Sequence, residues 1–380
     1  METVLLFIAV LAVLVLAHEF GHFLTARWAK MRIFEFGFGF PPRLFGVYQD
    51  PEKKKMVWVW GKNKKATELP ATVYSLNLLP LGGFVRIKGE EGGGQTDADS
   101  FAFQKPGKRM LVLVAGVLMN IILAGILLSV GFMIGLPTDL SLGQDPRAQV
   151  IGEPQVMVQH VEAGSPAEKA GIRYGDRVTK INGQDIVGSA EMVELVKAAG
   201  GQAVAVTISK DEKEQTVDIT PALIKPGDSY PRLGVMLADA AMVKYPWYWA
   251  IIKGFTAAGI GLINIFIAFY LLLKNLILGQ GLAFEVSGPV GIAVMVGDSA
   301  RLGLNYLINV TAMISLSLAA INILPIPALD GGRLVFVFLE KVLRRPVPVK
   351  YEQAAHAIGY ILLLALIVVV TGRDILGLIK

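Results

Sequence analysis

Cysteine is absent from all 380 residues. Disulfides, thiolate metal sites and thiol nucleophiles are therefore excluded, and any bound metal must be held by histidine and carboxylate. Histidine is itself scarce, with four in the whole chain. Charge is thin as well: Asp, Glu, Lys and Arg make up 18% of residues and hydrophobic residues 53%, where soluble globular chains carry roughly 25% charge. That balance excludes an ordinary soluble domain and points to a polytopic membrane protein with some water-exposed parts. The net charge is +5, but the positives stand beside apolar runs and no aromatic–basic interleaving occurs. The charge thus reports membrane topology rather than nucleic-acid binding. No internal repeat is visible, which argues against a zinc or proton transporter built from paired broken helices.

What is present is a series of long apolar runs. About 20 apolar residues suffice for a membrane-crossing helix, and the first run, Val4 to Ala26, is interrupted only by His18, Glu19 and His22. A signal peptide would carry its positive charges ahead of the apolar stretch. Here Met1, Glu2 and Thr3 precede it, and Arg27, Lys30 and Arg32 follow. The positive-inside rule then puts the N-terminus outside and residue 27 onward inside. Residues 1–31 read as the first span, 108–137 as the second, 304–340 as the third with its polar sequel, and 354–372 as the fourth. The apolar segment within 245–300 is expected to lie along the outer interface or to dip in and return, because a further crossing would reverse the topology of the spans after it.

Between the first two spans, residues 32–107 are mixed. Phe34, Phe36, Phe38 and Phe40 alternate with Glu35, Gly37 and Gly39, the period-two pattern of a strand. Val57–Trp60 and Gly83–Lys88 read as further short strands, the basic stretch Lys53–Lys65 as facing the cytoplasm, and Gly92-Gly93-Gly94 as flexible linker. Residues 150–238 read as a compact α+β insert of about one small domain. It has a helix over Ser189–Ala199 and strands over Ala203–Ser209 and Gln215–Thr220.

Two segments carry chemistry. His18-Glu19-Phe20-Gly21-His22 is a His-Glu-x-x-His motif on a helix, where residues four apart share one face. Two imidazoles so placed can take two corners of a zinc tetrahedron, with the glutamate beside them as base for the attacking water. Three ionisable groups within about one turn of an apolar helix are costly in lipid, which makes mere packing a poor explanation. The third ligand must come from elsewhere. Asn322-Ile323-Leu324-Pro325-Ile326-Pro327-Ala328-Leu329-Asp330-Gly331-Gly332 offers Asp330 after two prolines that end or kink the third span. Backbone freed at membrane depth survives only where it lines a protein or watery cavity, so Asp330 is expected to face one. Asn322 could hold the substrate backbone or an oxyanion, or serve as glue between helices. His160 and His356 are assigned to no metal.

Together, His18–His22 in the first span, the mid-chain insert and Asn322–Gly332 resemble the site-2 protease family, in its bacterial branch of RseP-like intramembrane zinc metalloproteases. The likeness extends over nearly the whole chain, including Gly82–Glu90 and Ser287–Gly291. It implies zinc as cofactor, His18, His22 and Asp330 as ligands, Glu19 as base and Asn322 as a substrate-binding residue. It further implies a multi-pass α-helical protein of the bacterial inner membrane, with about four spans and a membrane-associated β-sheet region whose edge can present an unwound substrate. The implied substrates are single-pass membrane proteins, such as trimmed anti-sigma factors or remnant signal peptides. The insert resembles a single PDZ domain outside the cytoplasm, with Arg232–Val235 as a candidate loop for a peptide C-terminus. Enterobacterial relatives carry two such domains, so size-filtering arguments based on a pair do not transfer. Rival readings are processing of pheromone precursors or sporulation factors by the same chemistry, and a non-catalytic PDZ-bearing membrane scaffold. The scaffold is disfavoured because Glu19 and all three candidate ligands are intact.

Overall fold

The architecture comes from a computed structural model, which describes all residues except 1, 62–64, 91–95, 141–144, 163, 174, 211–212, 225–227, 280–286 and 380. The chain runs α1 (Glu2–Trp28), β1 (Ile33–Gln49), β2 (Met56–Trp60), β3 (Val73–Ile87), α2 (Pro106–Ile134) and β4 (Leu136–Asp139). It continues with β5 (Gln149–Val161), α3 (Pro166–Lys169), β6 (Arg177–Ile181), β7 (Gln184–Asp185), α4 (Ser189–Ala198), β8 (Val204–Lys210), β9 (Lys213–Ile219) and β10 (Val235–Lys244). It ends with α5 (Trp247–Ile277), α6 (Pro289–Leu302), α7 (Leu304–Ile323), α8 (Asp330–Leu343) and α9 (Val349–Ile379). Two compact units result, one of residues 1–130 with 251–380, the other of 131–250.

Among the described residues five helices are long and apolar enough to cross a bilayer: α1, α2, α5, α7 and most of α9. Four of them correspond to the expected spans. The fifth, α5, was expected at the interface or re-entrant; it is one unbroken helix whose Gly254 lies against Ser129 of α2 and whose Gly261 lies against Leu316 of α7. Small residues at such crossings let helix backbones approach closely where lipid supplies no hydrophobic drive. The α1–α2 crossing is also close: a Cβ on Gly21 would stand 2.3 Å from the Ala115 carbonyl oxygen. The linker expected at Gly92–Gly94 lies outside the described residues.

β1, β2 and β3 form one sheet in the order β2-β1-β3. Both long strands fold back on themselves. Phe36 of β1 pairs with Tyr74 and also with Val85, and Phe38 with Leu76 and also with Gly83, so the first half of β1 lies between the two halves of β3. The return in β3 needs a residue of positive φ, supplied by Gly82 at +82°. The last half of β3, residues 83–87, is thereby left as an edge; among the described residues no strand pairs on its outer side. That edge packs on α1. The sequence reading saw Gly83–Lys88 and the alternating phenylalanines but not Val73–Leu79, whose Leu78-Leu79-Pro80 run breaks the period-two pattern.

The second unit holds a sheet in the order β4-β10-β5-β6-β8-β9, with β7 paired to β6. Its core is aliphatic, with Val156, Val158, Ile181, Met192, Val204 and Val206 almost wholly buried. α4 starts after Gly188, which offers no side-chain cap. The orphan amide at Ser189 instead donates to Asp239 on β10 at 2.6 Å, and the Ser189 hydroxyl donates to the same carboxylate. In the candidate peptide loop, Arg232 donates to Asp228 at 2.6 Å and bridges Ala222. β10 pairs with β4 only over Ala240–Val243, so Val235–Ala238 have no strand partner on that side among the described residues.

Candidate metal centre and catalytic site

α1 carries His18 and His22 on one face, both 7% exposed, with ring Nε2 atoms 3.1 Å apart. The third group arrives at the first residue of α8. Asp330 Oδ2 lies 2.9 Å from His18 Nε2 and 3.3 Å from His22 Nε2. Two imidazole nitrogens and a carboxylate oxygen, all within 4.8 Å of one another, make the three-ligand donor set of a catalytic zinc with one position left for water.

The protonation pattern tests whether a cation fits. His22 Nδ1 lies 2.8 Å from the Val112 carbonyl oxygen, which can only accept, so Nδ1 carries the proton. In a neutral ring Nε2 then presents a lone pair to a carboxylate oxygen that also bears lone pairs, and a cation between them resolves the conflict. His18 Nδ1 sits 3.5 Å from the Asn120 amide nitrogen, and the buried Asn120 Oδ1 has no hydrogen-bond partner. Exchanging the amide's oxygen and nitrogen lets Oδ1 accept from His18 Nδ1–H, which frees His18 Nε2 as a ligand in the same way. Gly116 of α2 makes the room: a Cβ there would stand 2.4 Å from His22 Nε2. The residues present fit zinc.

Glu19 turns aside from this trio. Its Oε2 accepts from the Val85 backbone N–H at 3.0 Å, which ties α1 to the outer edge of β3. A cavity of about 250 Å³ is lined by His18, Glu19, Asn120, Asn322 and Asp330 among others, so Glu19 and Asn322 face the same space as His18 and Asp330. A second cavity of about 380 Å³ follows Phe84–Ile87 and reaches Glu90.

Asp330 owes its position to the break between α7 and α8. Pro325 and Pro327 lack the N–H groups that would continue α7. Ile326 to Leu329 close a turn through a Leu329 N–H to Ile326 carbonyl bond of 3.2 Å. Beyond the turn, Gly331 and Gly332 have no space for a Cβ, which would fall 2.1 Å from the Leu324 oxygen and 2.4 Å from the Ile326 oxygen. Arg333, one turn into α8, pairs with Glu90, and Arg109 of α2 pairs with Glu340. Burial pushes the Glu90 carboxyl above its ordinary pKa, and the Arg333 guanidinium opposes that shift.

The structure therefore gathers His18, His22 and Asp330 within bonding reach of one ion and sets Glu19 and Asn322 on the adjoining cavity. Sequence reading passed over Asn120, which was visible as a lone amide in the apolar α2.

The description of peptidase family M50 matches residues 6–366. The chain belongs to peptidase family M50. A Clostridium perfringens protein bearing a zinc-metalloprotease name is 32% identical to this M50 chain over 364 residues, covering 96% of this chain and 95% of its own length. The zinc metalloprotease RasP of Geobacillus kaustophilus is 29% identical, covering 99% of this chain and 98% of its own. A solved PDZ domain from a Listeria innocua SdrC-like protein is similar over 22% of this chain and 92% of its own, at 24% identity and a TM-score of 0.20. The M50 chain is a zinc metalloprotease of bacterial membranes, and it works on membrane proteins in a lipid bilayer.

Proposed function

We propose that this metalloprotease is of the site-2 type and cuts the transmembrane segments of single-pass membrane proteins, anti-sigma factors or remnant signal peptides among them. The observation that carries this reading is the convergence of His18, His22 and Asp330 on one point when two of them belong to a 27-residue apolar helix. A soluble protease has no reason to build its metal centre on a membrane span.

His18, His22 and Asp330 would hold the zinc. When bound, zinc lowers the pKa of a water molecule toward 7 and polarises the scissile carbonyl. Glu19, on the shared cavity, takes the proton of the attacking water and returns it to the leaving amine. The Asn322 amide donates to the substrate backbone or the developing oxyanion. A helix must open before its peptide bonds reach this site, and its freed backbone groups need partners in a medium without water. The outer edge of β3 supplies them by strand addition; it already holds Glu19 through Val85. The positive-inside rule puts Arg27, Lys30 and Arg32 on the cytoplasmic side, which leaves the N-terminus and the 131–250 unit outside. There Val235–Ala238 of β10, paired with β5 on one side and with no strand on the other among the described residues, is a place for an extended peptide C-terminus.

The test is cleavage of a tagged single-pass anti-sigma-factor segment by purified protein in detergent, with and without a zinc chelator and beside Glu19→Gln. The reading expects cleavage that the chelator stops and zinc restores, and no cleavage by the variant, which still binds zinc. Full activity of Glu19→Gln would sink the mechanism. Stoichiometric zinc without cleavage of any membrane segment would favour a scaffold.

A further inference from the structure

The loop that delivers Asp330 is in a conformation its sequence does not favour. Ile326–Leu329 form a four-residue turn with Pro327 at its second position and Ala328 at its third, closed by the Leu329-to-Ile326 bond. Ala328 has φ +83°, which with the closing bond is the pattern of a type II turn, where the third position calls for glycine. Alanine there is strained, and a strained residue persists only when its surroundings over-determine it. With an L residue at that position the relaxed alternative is type I, reached by flipping the central peptide between Pro327 and Ala328.

Both ends of that central peptide are engaged by α9. The Ala328 N–H donates to His356 Nδ1 at 2.8 Å. On the other end, the Pro327 carbonyl oxygen packs so closely on Gly359 that a Cβ there would stand 2.3 Å from it. His356 and Gly359 are three residues apart and so lie on one face of the helix. A flip would exchange the N–H and the C=O, leaving His356 Nδ1 without its donor and turning Pro327 O away from Gly359. The bond also settles the ring: Nδ1 accepts, so the proton is on Nε2, 4.0 Å from Glu352 Oε1, and Phe336 of α8 lies against the imidazole with centroids 5.8 Å apart.

We infer that His356 is a positioning residue: with Gly359 it selects the type II form of the 326–329 turn and thereby sets the approach of Asp330, two residues on, to His18 and His22. This rests on Asp330 as a zinc ligand. α9 is then part of the catalytic centre's support as well as a membrane span; the ring's other nitrogen, Nε2, faces Glu352 Oε1 at 4.0 Å without a hydrogen bond.

The experiment measures zinc affinity of metal-stripped full-length protein in detergent by chelator competition, with amide exchange at 328–332 on the metal-free protein as second readout. His356→Leu is expected to weaken zinc binding about 10–100-fold, the usual effect of losing a supporting partner of a ligand, and to speed exchange at Ala328. Ala328→Gly, which relieves the strain, should change little alone and should restore most of the affinity in the His356→Leu background. His356→Asn, whose Oδ1 can accept at the place of Nδ1, should stay within a few-fold of the parent and keeps the test alive where the leucine variant does not fold. Unchanged affinity in His356→Leu, or no rescue by Ala328→Gly in a folded double variant, overturns the inference. Asp330→Ala serves as reference: parent-like zinc affinity there would fault the ligand assignment instead, while the exchange data would still report on the turn.

Discussion

Replacing Gly116 by alanine tests how closely α2 backs the metal site. The new Cβ would stand 2.4 Å from His22 Nε2 and 2.8 Å from both Cε1 and Nε2 of His18. Ordinary contact needs about 3.5 Å, so the imidazoles or the helix must yield by about 1 Å. Two effects oppose one another. In an unobstructed helix interior, alanine is better than glycine by about 1 kcal/mol, whereas overpacking a close contact costs about 1–3 kcal/mol. The second should win, because the ring nitrogens are held from behind by Val112 O and Asn120 and cannot retreat freely. A displacement of about 1 Å at reacting groups costs on the order of 100-fold in rate. We therefore expect Gly116→Ala to bind zinc at least about 10-fold more weakly and to cleave at about 1% of the parent rate. Gly107→Ala, at a site with nothing within 4 Å, should do neither. The assay is chelator competition together with thermal unfolding of the same preparations. Parent affinity with a raised melting temperature would mean that propensity won and that α2 does not press on the imidazoles.

His22→Phe removes one nitrogen donor while keeping the ring's bulk, and should abolish both stoichiometric zinc binding and cleavage with an unchanged helical circular dichroism spectrum. Retained zinc would remove His22 from the ligand set. Arg333→Ala strips Glu90 of its partner; both side chains are partly exposed, so the loss is set at about 1–3 kcal/mol rather than the larger cost of a fully buried pair. Pairing it with Glu90→Gln should recover part of that stability, measured by thermal unfolding, and an additive double variant would show that the two groups do not interact.

The residues that converge in the candidate site were mostly legible in the sequence because their signals are local. His18, Glu19 and His22 fall within about one helical turn, so spacing alone puts the imidazoles on one face. A carboxylate after two prolines in an apolar run is conspicuous for the same reason that it is costly. Four of the long apolar helices were equally plain, since twenty apolar residues have few other uses, but α5, expected at the interface or re-entrant, is one unbroken helix also long enough to cross. The strand Val73–Leu79 was not, because its pairing with the first half of β1 depends on a return at Gly82 that no periodicity announces.

Some features were decided only when the chain closed. Asp330 reaches His18 across 312 positions, and the sequence offered the carboxylate without its distance. That Glu19 binds the Val85 N–H follows from how the β3 edge meets α1. Asn120 and Gly116 matter because α2 crosses α1 at that level, and His356 matters because α9 returns beneath the 326–329 turn. Residue type and spacing along a helix determine which groups share a face. Which faces meet depends on crossings and turns summed over the whole fold, and those are set by packing between residues far apart in the chain.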